Sequence, residues 1–314
     1  MPQLPFSKPG RFYKGNLHLH STRSDGTLSP AEVLDAYRTQ GYDFVALTDH
    51  FLPQSDARSE GDPNLWVTVS DTRDLRHPDF TTILGAEIHG PGMANGELWH
   101  MIAIGLPLDF AKRGDTETGQ QLAKRAVDAG AWVGIAHPEW NAVNLDDAQS
   151  VAPFIHTIEI YNHGCQVEVD RGSGWGLSDQ LSQEGFRLSA YASDDAHFQI
   201  PDEPDSFGGW VQVKATSLDP DALLAALKAG DFYSSTGAEI HNIEIVGDEL
   251  IVQTPPALQI IATGSGARSH RIRGGNITEA RFDLDRFREH GFIRITVIAE
   301  DGGRAWSNPI WLDT

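Results

Sequence analysis

Along the first 200 or so residues, short apolar runs recur and repeatedly end in a histidine or an acidic side chain. Residues 16–20 read Asn-Leu-His-Leu-His and open into Ser24-Asp25-Gly26; 44–47 lead to Thr48-Asp49-His50; 81–86 deliver Glu87. Further on, 132–136 end at His137-Pro138, and 187–192 run into Ser193-Asp194-Asp195-Ala196-His197. Short apolar runs bounded by polar clusters read as buried strands. A chain of this kind must collect its reactive side chains at one edge of a sheet, because the strand ends carry them. Side chains alternate across a strand, so His18 and His20 point the same way and can share one metal ion, with Asp25 brought to the same mouth by the loop.

Helical stretches separate these strands. Ser29 caps the first, Pro30 takes its first turn, Glu32 completes a capping box and Gly41 ends it, with Val33, Leu34 and Tyr37 on the apolar side. A second, around 120–129, stops at Gly130. The strand at 100–105 begins with His100; if it runs antiparallel to its neighbour, His100 arrives at the same mouth as Glu87. After the strand at 157–162 come a glycine-rich loop at 172–176 and a helix to Gly185. Seven strands, mostly alternating with helices, predict an α/β barrel whose functional groups gather at the C-terminal face. The polar segment 51–80 reads as an excursion over the strand ends. From 237 the texture changes to short alternating runs between Gly, Pro and Asp turns, which predicts a small all-β, sandwich-like domain over 237–314 behind a barrel domain over 1–236.

With 314 residues and 40% hydrophobic side chains the chain can bury a full core. A formal charge of −20, from 24 basic and 44 acidic residues, argues against a nucleic-acid polymer or an anionic membrane as partner and leaves a small molecule. No run reaches the roughly 20 apolar residues of a membrane span. Residues 1–10, with Pro2, Pro5 and Pro9, lack the pattern of a signal peptide. The single cysteine, Cys165, excludes an internal disulfide framework and fits a reducing compartment, so a cytoplasmic location is expected.

Of the 13 histidines, His18, His20, His50, His100, His137 and His197 lie at predicted strand ends beside Asp25, Asp49, Glu87, Asp194 and Asp195. Neutral imidazole with carboxylate is the ligand set of zinc, manganese or iron hydrolase sites. The remaining isolated histidines, His77, His89, His156, His241, His270 and His290, read as ordinary core or surface residues. The run Thr263-Gly264-Ser265-Gly266-Ala267 lacks the Gly-Lys-Ser/Thr of a phosphate-binding loop and reads as a hairpin turn, and there is no Gly-x-Ser-x-Gly elbow. A Cys165–His163 nucleophile pair has no orienting third residue.

In order, His18-x-His20, Ser24-Asp25-Gly26, Thr48-Asp49-His50, Glu87, His100, Ala136-His137-Pro138 and Asp195-x-His197 resemble the PHP superfamily, named for polymerase and histidinol phosphatase; the match spans residues 16–197. The resemblance implies a distorted seven-stranded barrel and a metal-dependent phosphoesterase with two to three divalent ions, Zn, Mn or Fe. It implies one ion held by His18, His20, Glu87 and Asp195, a second by Glu87, His100 and His137, and a third by Asp25, His50 and His197. Asp49 and Asp194, next to proposed ligands, are then catalytic-site acceptors that orient imidazoles, with Asp49 also a candidate general acid.

The activity so implied is hydrolysis of a small-molecule phosphate mono- or diester by a hydroxide bridging two ions. Arg171, with Arg23 behind it, is the candidate clamp for the phosphate, and His163 a candidate pocket residue. A barrel followed by a short β domain is also similar to a branch of stand-alone metallohydrolases that cleave carbamates and esters, so hydrolysis of a carbamate, ester or amide is the alternative chemistry. A non-catalytic binding module is disfavoured because the ligand set is complete.

Overall fold

The computed structural model describes residues 4–53, 66–199 and 204–312, with the backbone alone at His290. Strand β1 (Arg11–Asn16) precedes helix α1 (Pro30–Thr39), where the Ser29 hydroxyl accepts from the Glu32 amide and the Glu32 carboxylate accepts from the Ser29 amide. This box satisfies two amide donors that a helix start leaves unpaired, and such a cap contributes about 1 kcal/mol. Next come β2 (Phe44–Val45), β3 (His50–Phe51), β4 (Thr81–Thr82), β5 (Gly85–Gly90) and β6 (Trp99–Ile104). Helix α2 (Gly119–Asp128), β7 (Trp132–Ile135), α3 (Leu145–Val151), β8 (Thr157–Asn162), α4 (His163–Val169), α5 (Trp175–Gln183) and β9 (Ser189–Ser193) follow, then β10 (Trp210–Ala215), α6 (Pro220–Lys228) and β11 (Phe232–Ser235). The C-terminal part is β12 (Asn242–Val246), β13 (Glu249–Thr263), β14 (Ser269–Asp283), β15 (Phe292–Ile298), β16 (Arg304–Ser307) and β17 (Ile310–Trp311).

The fold is mixed α/β with two large sheets. One runs β3-β5-β6-β7-β8-β9. Within it β6 is antiparallel to both β5 and β7, and His89 stands opposite His100 in register. The start of β6 therefore lies beside the end of β5, which brings His100 to Glu87. The other sheet runs β12-β13-β15-β16-β11-β10-β1-β2-β4. Backbone bonds join the sheets where β1 ends: His20 N donates to Ala196 O (3.0 Å), Asp195 N to His18 O (2.9 Å), Thr48 N to Leu19 O (2.9 Å) and Glu87 N to Thr48 O (3.1 Å). Leu17, Phe44, Ile102, Trp132, Tyr191 and Phe232, drawn from both sheets, form one core cluster. Burying each such side chain contributes about 1.5–3 kcal/mol.

The strands after 237 are joined to the earlier part of the chain through a shared sheet. β16 pairs with β11, placing Ser234 opposite Trp306, so the C-terminal strands continue the sheet that contains β1. The physical reason is the free edge of β11, whose unpaired amides and carbonyls recruit the next available strand. A separate core cluster under these strands includes Tyr233 of β11, with Leu4, Phe6 and Phe12 packed against it. Arg294 of β15 forks onto Asp179 of α5 with bonds of 2.8 and 2.7 Å, its guanidinium 3.9 Å from the centre of the Trp175 ring. The predicted excursion over 51–80 lies outside the described residues at 54–65; its later part packs back, with the Ser70 hydroxyl donating to Asp49.

Candidate metal centre

Leu17 and Leu19 are fully buried in the core, so alternation turns His18 and His20, equally buried, to the opposite side, with ring centres 5.2 Å apart. Glu87, fully buried on β5, stands between the other groups. Its Oε1 lies 2.8 Å from His100 Nδ1 and 3.2 Å from His137 Nε2. Its Oε2 lies 2.7 Å from His50 Nδ1, 3.5 Å from His20 Nε2 and 3.7 Å from both His18 Nε2 and His89 Nε2. Asp195 Oδ1 is 3.0 Å from His18 Nε2 and 2.9 Å from His20 Nε2. The Asp25 carboxylate reaches His50 Nε2 at 3.2 Å and His197 Nε2 at 3.4 Å. Asp195 has a φ of 61°, a left-handed backbone that costs free energy for a residue with a Cβ and that clusters at functional sites.

Four sets of these residues have ligand atoms all within 4.8 Å of one another: His18, His20 and Asp195; His18, Glu87 and His137; His20, Asp25, His50 and His197; and His50, Glu87 and His89. The grouping is not the same as the sequence expectation: Glu87 is absent from the His18, His20 and Asp195 set, and His89 enters a set with His50 and Glu87. His20 joins the Asp25 set, His18 joins Glu87 and His137, and His100 sits on Glu87 without completing a set among the described residues. His18 Nε2, His20 Nε2, Asp25 Oδ1, Glu87 Oε2 and His137 Nδ1 are buried and make no hydrogen bond among the described residues. Orphaned buried lone pairs are costly unless something satisfies them, and this donor set of imidazoles and carboxylates fits a cluster of divalent cations.

The charges agree with that fit. Burial pushes the Glu87 carboxyl up, but His50, His100 and His89 outweigh it and hold it well below the usual range. Asp195 behaves alike, its burial overcome by His18 and His20. Burial lowers His50 and His197, yet Glu87 and Asp25 lift the first to about 10, and Asp25 and Asp195 lift the second to about 9. His20, buried and beside His197 and His50, falls to about 4.

Neither Asp49 nor Asp194 accepts from an imidazole among the described residues. Asp49 accepts from the Ser21 amide (2.7 Å) and from the hydroxyls of Ser24 (2.9 Å) and Ser70 (2.8 Å), and reaches His20 only through Ser24, whose Oγ is 3.4 Å from Nδ1. Asp194 accepts from Tyr37 Oη (2.6 Å), Asn16 Nδ2 (2.7 Å) and the amides of Phe207, Gly208 and Gly209. Both carboxylates are engaged by donors that brace loops. Arg171 is exposed on the loop after α4; Arg23 is half-buried with its carbonyl accepting from Trp66 N. His163 turns its Nδ1 to the Tyr161 hydroxyl at 3.0 Å and belongs to none of the four sets. Cys165 is buried with its sulfur 3.9 Å from Asp195 Oδ2.

Two participants escape a sequence reading. Glu159, fully buried on β8, accepts from the His137 amide (2.5 Å) and from Asn162 Nδ2 (3.0 Å), bonds the Ser193 hydroxyl, and lies 3.3 Å from His18 Nδ1. A lone carboxylate inside the run Thr157-Ile158-Glu159-Ile160 was its signal. His89, 3% exposed, lies two residues after Glu87 on the same strand and hence on the same face. At the lip, Trp66 stacks on His50 with ring centres 5.0 Å apart, and Trp140, 42% exposed, sets its ring edge-on to His137 at 5.0 Å.

A scan against protein-family models gives no match. Over 37 residues, 12% of this chain, it is 51% identical to the DNA polymerase/3'-5' exonuclease PolX of Bacillus subtilis, and the matched stretch spans only 6% of that protein. Among solved structures, an amidohydrolase from Chromobacterium violaceum aligns over 58% of this chain and 87% of its own at 14% identity, with a TM-score of 0.40. A two-domain protein from Bacteroides vulgatus, containing a predicted PHP-like metal-dependent phosphoesterase, aligns over 99% of this chain and 97% of its own at 15% identity and a TM-score of 0.52. The chain thus shares the fold of that protein along nearly its whole length.

Proposed function

We propose that this protein is a metal-dependent phosphoesterase that hydrolyses a small-molecule phosphate mono- or diester, with a catalytic barrel over 1–236 braced by the β strands of 237–314. The observation that carries the reading is the convergence of Glu87, Asp195 and Asp25 with seven imidazoles at one mouth, five of their buried atoms lacking any hydrogen bond among the described residues. His18, His20 and Asp195 would hold one divalent ion with Glu87. Glu87 and His137, with His100 alongside, would hold a second, and Asp25, His50 and His197, with His20, a third. Zinc, manganese and iron suit the nitrogen-containing sets, and the Asp25 carboxylate favours the harder manganese or iron. Such ions supply Lewis-acid polarisation of a phosphoryl oxygen and offset the charge that develops on it.

The chain's own residues do the positioning. With an ion bound at His18 Nε2, Glu159 would accept the remaining Nδ1 proton and so hold the ring with Nε2 toward Asp195 and Glu87. Glu87 turns one oxygen to His100 and His137 and the other to His18, His20 and His50, and so would help to hold the ion of either set. Asp49 anchors the loop carrying Asp25 through Ser21 and Ser24. A cytoplasmic site of action fits the single cysteine; no helix among the described residues is long and apolar enough to cross a membrane.

Carbamate, ester or amide hydrolysis is the second reading: exposed Trp140 against His137 offers a flat apolar surface that would take an aryl group on a phosphoryl or a carbonyl centre alike. The test is turnover of p-nitrophenyl phosphate, a phosphodiester and an aryl carbamate by protein loaded with manganese or zinc. Activity on a phosphate ester supports the proposal, and activity on the carbamate alone overturns it in favour of the second reading.

A further inference from the structure

His50 presents two nitrogens to two different neighbourhoods. Nε2 lies 3.2 Å from Asp25 Oδ2, in the set with His20 and His197. Nδ1 faces inward, 2.8 Å from His89 Nε2 and 2.7 Å from Glu87 Oε2. An imidazole that binds a cation through one nitrogen carries its remaining proton on the other, and that proton needs an acceptor. Of the two candidates, His89 Nε2 stands in hydrogen-bonding geometry to His50 Nδ1, whereas Glu87 Oε2 makes no hydrogen bond among the described residues. Glu87 Oε2 also looks toward His18 Nε2 and His20 Nε2, both likewise unbonded. Were it to take the His50 proton, the carboxylate most central to the cluster would spend a lone pair on a neighbour.

From this we infer that His89 is a positioning residue. It accepts the Nδ1 proton of His50, which fixes His50 as an Nε2 ligand toward Asp25 and leaves Glu87 Oε2 free for the ions. The inference rests on the metal-centre reading above. His89 is placed for the task by its strand: it sits two residues beyond Glu87 on β5, 3% exposed, opposite His100 in the antiparallel register and with its ring centre 4.1 Å from that of His100. Packing between His50 and His100 leaves the ring little freedom to turn its acceptor elsewhere. On taking up a cation His50 gives up its Nε2 proton to solvent; the Nδ1 proton stays and is shared with a lone pair of His89.

The test compares the wild type with His89→Leu, which removes the acceptor at similar volume, and His89→Gln, whose amide oxygen can take the same proton. Zinc is titrated into each metal-free protein and bound ions are counted. The tautomer of His50 is read from its ring nitrogen shifts in the zinc-loaded, histidine-labelled protein. The expected result is that His89→Leu weakens the ion at the Asp25 set about 10–100-fold, spares the ion at His18, His20 and Asp195, and perturbs the His50 shifts. His89→Gln should restore the wild-type pattern, and wild-type His50 should show a protonated Nδ1 and a metallated Nε2. Two results overturn the inference while leaving the metal centre standing: unchanged zinc binding and His50 shifts in His89→Leu, or a wild-type His50 metallated at Nδ1, which would make His89 a fellow ligand in the set with Glu87. A wild type that takes up no zinc overturns the metal-centre reading itself, and this inference with it. Retained binding at the His18 set shows that His89→Leu has folded; its loss as well would mean the effect is a general collapse and would count against a positioning role.

Discussion

Nδ1 of His18 lies 3.3 Å from Oε1 of Glu159, and both side chains are fully buried. A carboxylate behind a ligand imidazole fixes its tautomer, and removing such a partner costs about 10–100-fold in metal affinity. Glu159 also holds the His137 amide and Asn162. Glu159→Gln keeps the hydrogen-bonding shape and should lose affinity at the His18 set mainly through the lost charge, whereas Glu159→Ala should also lower the melting temperature. Zinc titration beside thermal unfolding separates the two effects.

Metal uptake should release protons at neutral pH. In the metal-free protein Glu87 and Asp25 hold His50 at about 10, and Asp25 and Asp195 hold His197 at about 9, against an ordinary value of 6.5. Both folded-state values are raised, so the stability these histidines contribute is fully present below about pH 6.5 and is lost as pH rises through 9 and 10. A cation must displace the same protons, so affinity should climb from pH 6.5 to 10 and then level off. His20, at about 4, is already neutral at pH 7 and gives up none. Calorimetric titration in buffers of different ionisation enthalpy counts the protons; a release near zero at pH 7 would contradict the assignment of His50 and His197 as ligands.

The Arg294–Asp179 fork ties a C-terminal strand to α5. Removing one member of a fully buried pair costs about 3–5 kcal/mol, and because the Asp179 side chain is 24% exposed the cost of Arg294→Met should be about 2–3 kcal/mol. Denaturant unfolding measures it, and ion stoichiometry should not change.

Gly174 is required by close approach: a Cβ there would overlap the carbonyl oxygen of Glu159. Since Glu159 also lies behind His18, Gly174→Ala should cost more than about 2 kcal/mol and weaken metal binding together. Gly176→Ala, two residues on with nothing within 4 Å, should leave metal binding unchanged.

What could be read from the sequence were features carried by local pattern. The alternation of Leu17, His18, Leu19 and His20 fixes which side each histidine faces, and the Ser29–Glu32 box marks a helix start in four residues. Features that depend on which strand lies beside which were not legible. His89 looks like any buried histidine until the β5–β6 register sets it against His100 and places it beside His50. Glu159 announces itself as buried by its apolar neighbours, yet nothing local names His18 as its partner. Asp49 and Asp194 adjoin ligands in sequence, but their strand positions turn them toward serines, Tyr37 and backbone amides instead. The C-terminal strands were recognisable by alternation, while their continuation of the β11 sheet depends on a pairing between residues about 70 positions apart, Ser234 with Trp306.

The central claim is that these imidazoles and carboxylates form one multinuclear metal centre. Its most direct test is elemental analysis of the purified protein after loading with manganese or zinc and dialysis, alongside His18→Ala and Asp25→Ala. Two or three ions per chain in the wild type, with at least one lost in each variant, is the result expected. Fewer than one ion per chain in the wild type would contradict it.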